Sequence, residues 1–247
     1  MGDFDAAALP PAFRRHLTDE DVRTNSTLQS FDAIRPQLTA LEELEIETIV
    51  DVGCNRGGLT RALGEHLGAS SVYGIELDDG MRDVASDRGI DVFDVDVETD
   101  PFPFADDSVD LVVSFGLLEH LRYYDHFFTE TARILDSGWL WLSTPNLGSW
   151  VNRVALLTGF QPRNVELSRE LAVGSLPIYD SDTFLNHVHA PTYRALRELL
   201  ELYGFDRVHT TTVSPYQRSI IDRTLDRLFS LRTGWGRRIA VLAIQRR

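Results

Sequence analysis

The apolar positions of this chain change period repeatedly. Short runs rich in β-branched residues give way to stretches in which apolar residues recur three and four apart. Thr48 to Val52 is the first strand-like run, and Leu59 to Leu67 the first helical stretch. Ser71 to Leu77 predicts a second strand, Asp79 to Arg88 a helix stopped by Gly89, and Ile90 to Val95 a third strand. A strand over Ser108 to Ser114, a helix over Tyr123 to Leu135 and a strand over Trp139 to Ser143 continue the alternation. Further on, Thr192 to Tyr203 predicts a helix ended by Gly204, with strands over Phe205 to Val213 and Arg238 to Ile244. Elements alternating at these lengths predict βαβ units and an α/β, Rossmann-like, doubly wound sheet of seven strands, mainly parallel.

The segments between and before these elements follow other patterns. Residues 1–26, with Pro10-Pro11 inside, read as a flexible acidic N-terminal arm ahead of one domain over 27–247. Leu28, Phe31, Ile34, Leu38, Leu41 and Leu44 recur at helical spacing, and Pro36 predicts a break between two short helices there. Gly148 to Leu157 reads as a helix, and Phe160 to Ala190 as a long irregular stretch broken by Pro162, Gly174 and Pro177. Such stretches inside a domain are usually lids or binding loops, so 147–190 is expected to form a small cap inserted after strand five. Its candidate lining residues are Trp150, Tyr179, Phe184 and His189. Within 215–235, Ile221, Leu225, Leu228 and Phe229 share one helical face, with Arg218, Arg223, Arg227 and Arg232 elsewhere. That pattern predicts an amphipathic helix packed on the core.

Composition narrows the setting. No run of apolar residues is long enough to span a bilayer, and the acidic start shows no signal-peptide pattern, so a cytoplasmic location is expected. The one cysteine, Cys54, excludes an internal disulfide and a cysteine-based metal cluster, and reads as a small buried filler. The net charge is −14, and all 24 basic residues are Arg. An acidic, lysine-free surface suggests adaptation to high salt, where self-repulsion is screened, and it argues against nucleic acid as a partner. Residues 216–247 run against this trend, with eight Arg against Asp222 and Asp226 for a local charge of +6. That asymmetry raises a weak membrane-surface contact through the Arg-rich C-terminal segment.

The chemistry is concentrated where the first strand ends: Asp51-Val52-Gly53-Cys54-Asn55-Arg56-Gly57-Gly58. A glycine-rich turn between a strand and a helix lets backbone approach a ligand at the carboxyl edge of the sheet. A dinucleotide fingerprint places glycines in the order G-x-G-x-x-G, and the middle position here is Asn55. Asn tolerates the left-handed conformation, so the turn survives that substitution. Carboxylates follow at the expected ends of the next strands, Glu76 and Asp96. Together with Asp51 they would surround one crevice, suiting a cationic ligand and repelling a pyrophosphate.

From Thr48 to Asn146 the chain resembles class I S-adenosylmethionine-dependent methyltransferases of the small-molecule type, whose first motif reads acid-x-G-x-G-x-G. Asp51, Gly53 and Gly57 match it, Asn55 departs from it, and the segment from Pro101 to Leu121, ending Glu119-His120-Leu121, is similar to the family's fourth-strand region. The resemblance implies an antiparallel last strand and S-adenosylmethionine as cofactor. It implies contact with the methionine part through Asp51, Gly53, Asn55 and Gly57, and with the ribose through Glu76 beside Leu77. Asp96 and Val97 would meet the adenine, and Ser114 with Phe115 would lie beside the cofactor. Met81 would flank the adenine or simply pack. The acceptor is expected to be a small-molecule or lipid-like compound, because Ser114-Phe115-Gly116-Leu117 lacks the Asn/Asp-Pro-Pro-aromatic signature of nucleic-acid base methylation. His120 and His189 are the candidate general bases, histidine being the side chain that titrates near neutrality. His187-Val188-His189 lacks an evident third ligand, so no metal is expected. The competing readings are a non-catalytic S-adenosylmethionine-binding module and a nicotinamide-dependent oxidoreductase.

Overall fold

The strands β1 (Thr48–Val52), β2 (Ser71–Ile75), β3 (Asp91–Phe93), β4 (Val109–Phe115), β5 (Leu135–Pro145), β6 (Phe205–Val213) and β7 (Arg238–Gln245) form one sheet. Their order is β3-β2-β1-β4-β5-β7-β6, and β7 alone runs antiparallel to both its neighbours. This is a computed structural model; it describes residues 9–177, 185–215 and 220–246, with backbone only at Asp136. Tyr179, Phe184 and Arg218 therefore lie outside the described residues.

Alternation along each strand splits the core into two layers. Val50, Val52, Val112, Leu140, Leu142, Ile239 and Val241 face helices α6 (Asp125–Ile134) and α8 (Tyr193–Leu202), burying Phe127, Phe128, Leu196 and Leu200. Ile49, Leu111, Val113, Trp141 and Leu242 face α3 (Phe31–Glu42) and α4 (Gly58–Leu67) on the other side. Asp51 belongs to this second face by the same period of two, one residue from the end of β1, which aims its carboxylate at α4. The sequence order reverses between β1 and β4, and ligands of open α/β sheets bind at such a switch point.

Three expectations about the flanking segments require correction. Only residues 1–8 of the expected arm fall outside the described residues; from Leu9 onward the chain is structured. Pro11 starts α1 (Pro11–His16), whose Phe13 is fully buried against Phe31 and the ring of His66. Thr18 and Asp21 close a capping box at the start of α2 (Asp19–Thr24), and Asp21 also accepts from Arg88 at 3.0 Å. Second, Pro36 does not break α3. It sits on the exposed face, one turn after Asp32, where the carbonyl left without a donor can meet water.

The third correction concerns α9 (Ile220–Phe229). Two of its four expected apolar positions turn outward: Ile221 is 71% exposed and Leu228 58%, whereas Asp226 is 2% exposed. Asp226 accepts from Arg237 Nε at 2.7 Å and from the Trp150 indole N–H at 2.8 Å, and Phe229 stacks on Trp150. Two buried charge-assisted hydrogen bonds decide which face turns inward, and the aliphatic side chains are left outside.

Candidate functional site

The turn after β1 is built for close backbone approach. Gly53, Asn55 and Gly57 all take positive φ, at +79°, +50° and +72°. Asn55 thus occupies the left-handed conformation otherwise favoured by glycine, and its side-chain Oδ1 accepts from the Arg56 N–H at 2.9 Å. Gly57 stands just before α4, where a Cβ would lie 2.5 Å from Ile90 Cδ1 and 2.9 Å from Ala85 Cβ. Gly57→Ala is therefore expected to cost about 3 kcal/mol, from overpacking and from forcing alanine into positive φ. Urea denaturation measures it; a loss under about 1 kcal/mol would mean that the turn relaxes freely.

Asp51 lies beneath this turn, 3% exposed, and its Oδ2 accepts from Thr60 Oγ1 of α4 at 2.6 Å. Burial pushes its acid constant up to about 7; the Thr60 hydroxyl opposes the shift and the nearby Glu76 adds to it. Glu76 Oε2 accepts from Asn55 N–H at 2.9 Å, while Oε1 accepts from the N–H groups of Leu77 and Asp78. Asp51 and Glu76 therefore meet at one turn. Cys54 is buried between them, and burial plus the two carboxylates push its thiol up, so it acts as packing.

A cavity of about 280 Å³ opens from this turn across the β1–β4 switch point. Asp51, Gly53, Asn55 and Phe115 line it, together with Glu119, His120, His187 and Arg238. Asp21, Thr24, Asn25 and Leu28 also line it, so α2 and the turn after it form part of the wall. Glu76, Leu77, Asp96, Val97 and Ser114 are not among its lining residues. Asp96 stands beyond β3, where its carboxylate accepts from Glu98 N–H at 2.9 Å, and Val97 is packed in the core. Of the three expected carboxylates, Asp51 and Glu76 stand at the turn, and Asp96 follows β3, two strands away in the sheet.

The wall opposite the glycine turn comes from distant parts of the chain. Because β7 is antiparallel, it starts where β5 ends, and Arg238 pairs in register with Pro145. That places its guanidinium at the carboxyl edge of the sheet, both terminal nitrogens 3.2 Å from Glu119 Oε1. Glu119 and Arg238 are both buried. His187 Nε2 stands 3.9 Å from Glu119 Oε1, but burial, with His120 and Arg238 nearby, lowers its acid constant to about 3. The ring is neutral at physiological pH and forms no ion pair. Glu119, His120 and His187 present ligand atoms within 4.8 Å of one another. Arg238 already neutralises the carboxylate, which makes this a poor cradle for a divalent cation.

The two candidate bases separate. His120 Nδ1 lies 2.9 Å from the Asn186 carbonyl, to which it must donate, leaving Nε2 as the basic nitrogen of a residue on the cavity wall. His189 is occupied at both nitrogens: Nε2 donates to the Arg122 carbonyl at 2.8 Å, and Nδ1 lies 3.1 Å from the Tyr124 hydroxyl. It pins the segment before α8 and does not line the cavity. Of the other expected lining residues, Trp150 is engaged with Asp226 and Phe229.

Residues 50–142 match a family described as a methyltransferase domain. The chain has no match among curated proteins. Among solved structures it is similar to an S-adenosylmethionine-dependent methyltransferase from Mesorhizobium loti, with 21% identity, a TM-score of 0.57 and coverage of 86% of this chain and 98% of that one. An Archaeoglobus fulgidus S-adenosylmethionine-dependent methyltransferase aligns with 17% identity and a TM-score of 0.56, over 92% of this chain and 97% of that one. A Pyrococcus horikoshii protein aligns at 15% identity and a TM-score of 0.60, over 96% and 97% of the two chains. At these identities the likeness is one of fold.

Proposed function

We propose that this chain, whose residues 50–142 match a methyltransferase domain, is an S-adenosylmethionine-dependent methyltransferase that delivers the methyl group to a small-molecule or lipid-like acceptor with a polar reacting end. The observation that carries the reading is the cavity itself, which brings the glycine turn and Asp51 together with Glu119, His120, His187 and Arg238.

The residues of the turn fit the cofactor. Gly53 and Asn55, both at positive φ, bring backbone to the cavity wall, and Asp51 is a buried carboxylate in want of a cation. Asp51 would hold the amino group of the methionine part, Gly53, Asn55 and Gly57 would present backbone to it, and Glu76 beside Leu77 would take the ribose hydroxyls. Asp96 and Val97 are assigned to the adenine end, outside the cavity. S-adenosylmethionine supplies a methyl group on a sulfonium, already a good leaving group, so the work of the protein is alignment and exclusion of water. Buried Phe115, packed edge-on against Trp141, provides an apolar wall for the transfer.

On the acceptor side His120 is the residue placed to take a proton, its orientation fixed by the Asn186 carbonyl. Neutral His187 and the Glu119–Arg238 pair would orient a polar group by hydrogen bonds. His189 has no part in this reading of the acceptor site, because both its ring nitrogens are engaged.

Calorimetry provides the test. S-adenosylmethionine is expected to bind and NADH to give no heat; the reverse would overturn the assignment. The pH dependence has a definite sign. An ammonium favours the ionised form of Asp51, so binding releases a proton wherever Asp51 starts protonated, below about pH 7. Affinity should fall up to about tenfold per pH unit on acidification below that point, with heats that depend on the buffer's ionisation enthalpy. A flat profile between pH 5.5 and 8 would remove Asp51 from the amino-group site.

A further inference from the structure

The inverted helix α9 leaves an unusual surface outside. At about 100° per residue, Asp222, Asp226 and Phe229 fall on one face, the one packed against Trp150 and Arg237. The opposite face, continued into the following turn, carries Ile220, 79% exposed, Leu228, 58%, and Leu231, 82%, with Ile221, 71%, at its margin. Arg223, Arg227 and Arg232 are exposed along the same outward surface. Both acids of the helix are drawn inward by Arg237, so between Ile220 and Arg232 no carboxylate is left on the exposed side. In a chain of net charge −14, an exposed face that sets aliphatic and cationic side chains around Thr224 and carries no acid stands apart.

We propose that this face of α9 docks the protein on an anionic lipid bilayer, lying in the interface with its aliphatic side chains among the acyl chains and its guanidiniums at the phosphates. Charge complementarity selects this occupant. Three guanidiniums on the face would oppose one another across a two-fold contact with a second copy. Against anionic headgroups they add, each Arg near such a surface strengthening attachment roughly fivefold at low salt. The four aliphatic side chains supply the part of the binding that salt does not screen. A tryptophan lies directly behind the helix, and the ring stack Trp150–Phe229–Trp235 makes it a firm platform. Pro215 and Arg237, before and after this segment, line the cavity wall, so the segment adjoins the cleft in sequence. Docking is independent of the identity of the acceptor and of methyl transfer.

Co-sedimentation of the full chain with vesicles tests the proposal. Vesicles of phosphatidylglycerol mixed with phosphatidylcholine are expected to pull the protein down at least about tenfold more strongly than pure phosphatidylcholine. Arg223→Gln, Arg227→Gln and Arg232→Gln together should erase that preference. Leu228→Ser with Leu231→Ser should weaken binding at low and at high salt alike, about tenfold or more. These residues touch neither Asp51 nor the glycine turn, so calorimetry with S-adenosylmethionine should be unchanged and certifies folding. Equal binding of wild type and the triple Arg variant, or no binding to anionic vesicles, would overturn the proposal. A dimer in solution that Leu228→Ser and Leu231→Ser dissolve would do the same, since it would show the face already covered by a second copy.

Discussion

Replacing Asp51 by Asn is expected to raise the thermal unfolding midpoint of the ligand-free protein at pH 8 while weakening S-adenosylmethionine about a hundredfold. The two effects have one cause. Burial raises the Asp51 carboxyl from 3.8 to about 7, so the folded chain binds a proton that the unfolded chain has released between those values. A group with its folded acid constant raised stabilises the fold fully below the unfolded value and loses that contribution as pH rises through the folded one. By pH 8 the ionised carboxylate costs the fold roughly 4 kcal/mol relative to its ordinary state, an upper bound because the surroundings relax. An amide carries no such cost and still accepts the Thr60 hydroxyl through its oxygen. A gain of about 2 kcal/mol or more, or several degrees in a chain of this length, should appear at pH 8 and shrink toward pH 5. The same substitution removes the buried charge assigned to the ammonium, and a charged hydrogen bond of this kind is worth about 2–3 kcal/mol. Thermal melts at both pH values, with calorimetry on the same samples, check the pairing of gain and loss. A lower midpoint at pH 8 would mean that the carboxylate already has its partner inside the fold.

The strand, the acid and the turn could be read from the sequence because their causes are local. A β-branched run, an acid at its end and residues tolerant of positive φ at positions 53, 55 and 57 produce the same geometry wherever they meet. The far wall depends on pairing across the chain. Arg238 reaches Glu119 across 119 positions, and Arg88 reaches Asp21 across 67. No spacing announces such pairs, although Thr18-x-x-Asp21 is a capping signal that was open to view and argues against a mobile arm. Pro10-Pro11 misleads for a related reason: propensity does not register that Phe13 has a pocket waiting for it. Periodicity failed on α9 because it assigns the apolar face to the core. Here two acids with a buried arginine partner outweigh four aliphatic side chains. Asp96, expected at the adenine end from its place after the third strand, follows a short β3 that ends at Phe93 and does not line the cavity.

Glu119→Ala should be among the most destabilising single changes in the molecule, at about 3–5 kcal/mol, because it leaves the Arg238 guanidinium buried without a counter-charge. Arg238 Nε already lacks a protein partner, so no second acceptor stands by to take the load. Its loss should not vary between pH 5 and 8, since arginine cannot shed its proton in that range. Arg238→Met strands the carboxylate instead, which can take up a proton. Its destabilisation should therefore diminish as pH falls toward 5, and the difference between the two profiles identifies which charge was left behind. The double variant Glu119→Leu with Arg238→Met should recover most of the lost stability, giving a coupling of about 2 kcal/mol or more in a urea-denaturation cycle. If each single change cost under about 1 kcal/mol, water would be reaching the pair and the cleft would be wetter than its burial implies. A double variant that folds as well as wild type separates the two reasons for keeping an ion pair there. Stability would then not require it, and lost turnover alongside intact S-adenosylmethionine binding would assign Glu119 and Arg238 to holding the acceptor.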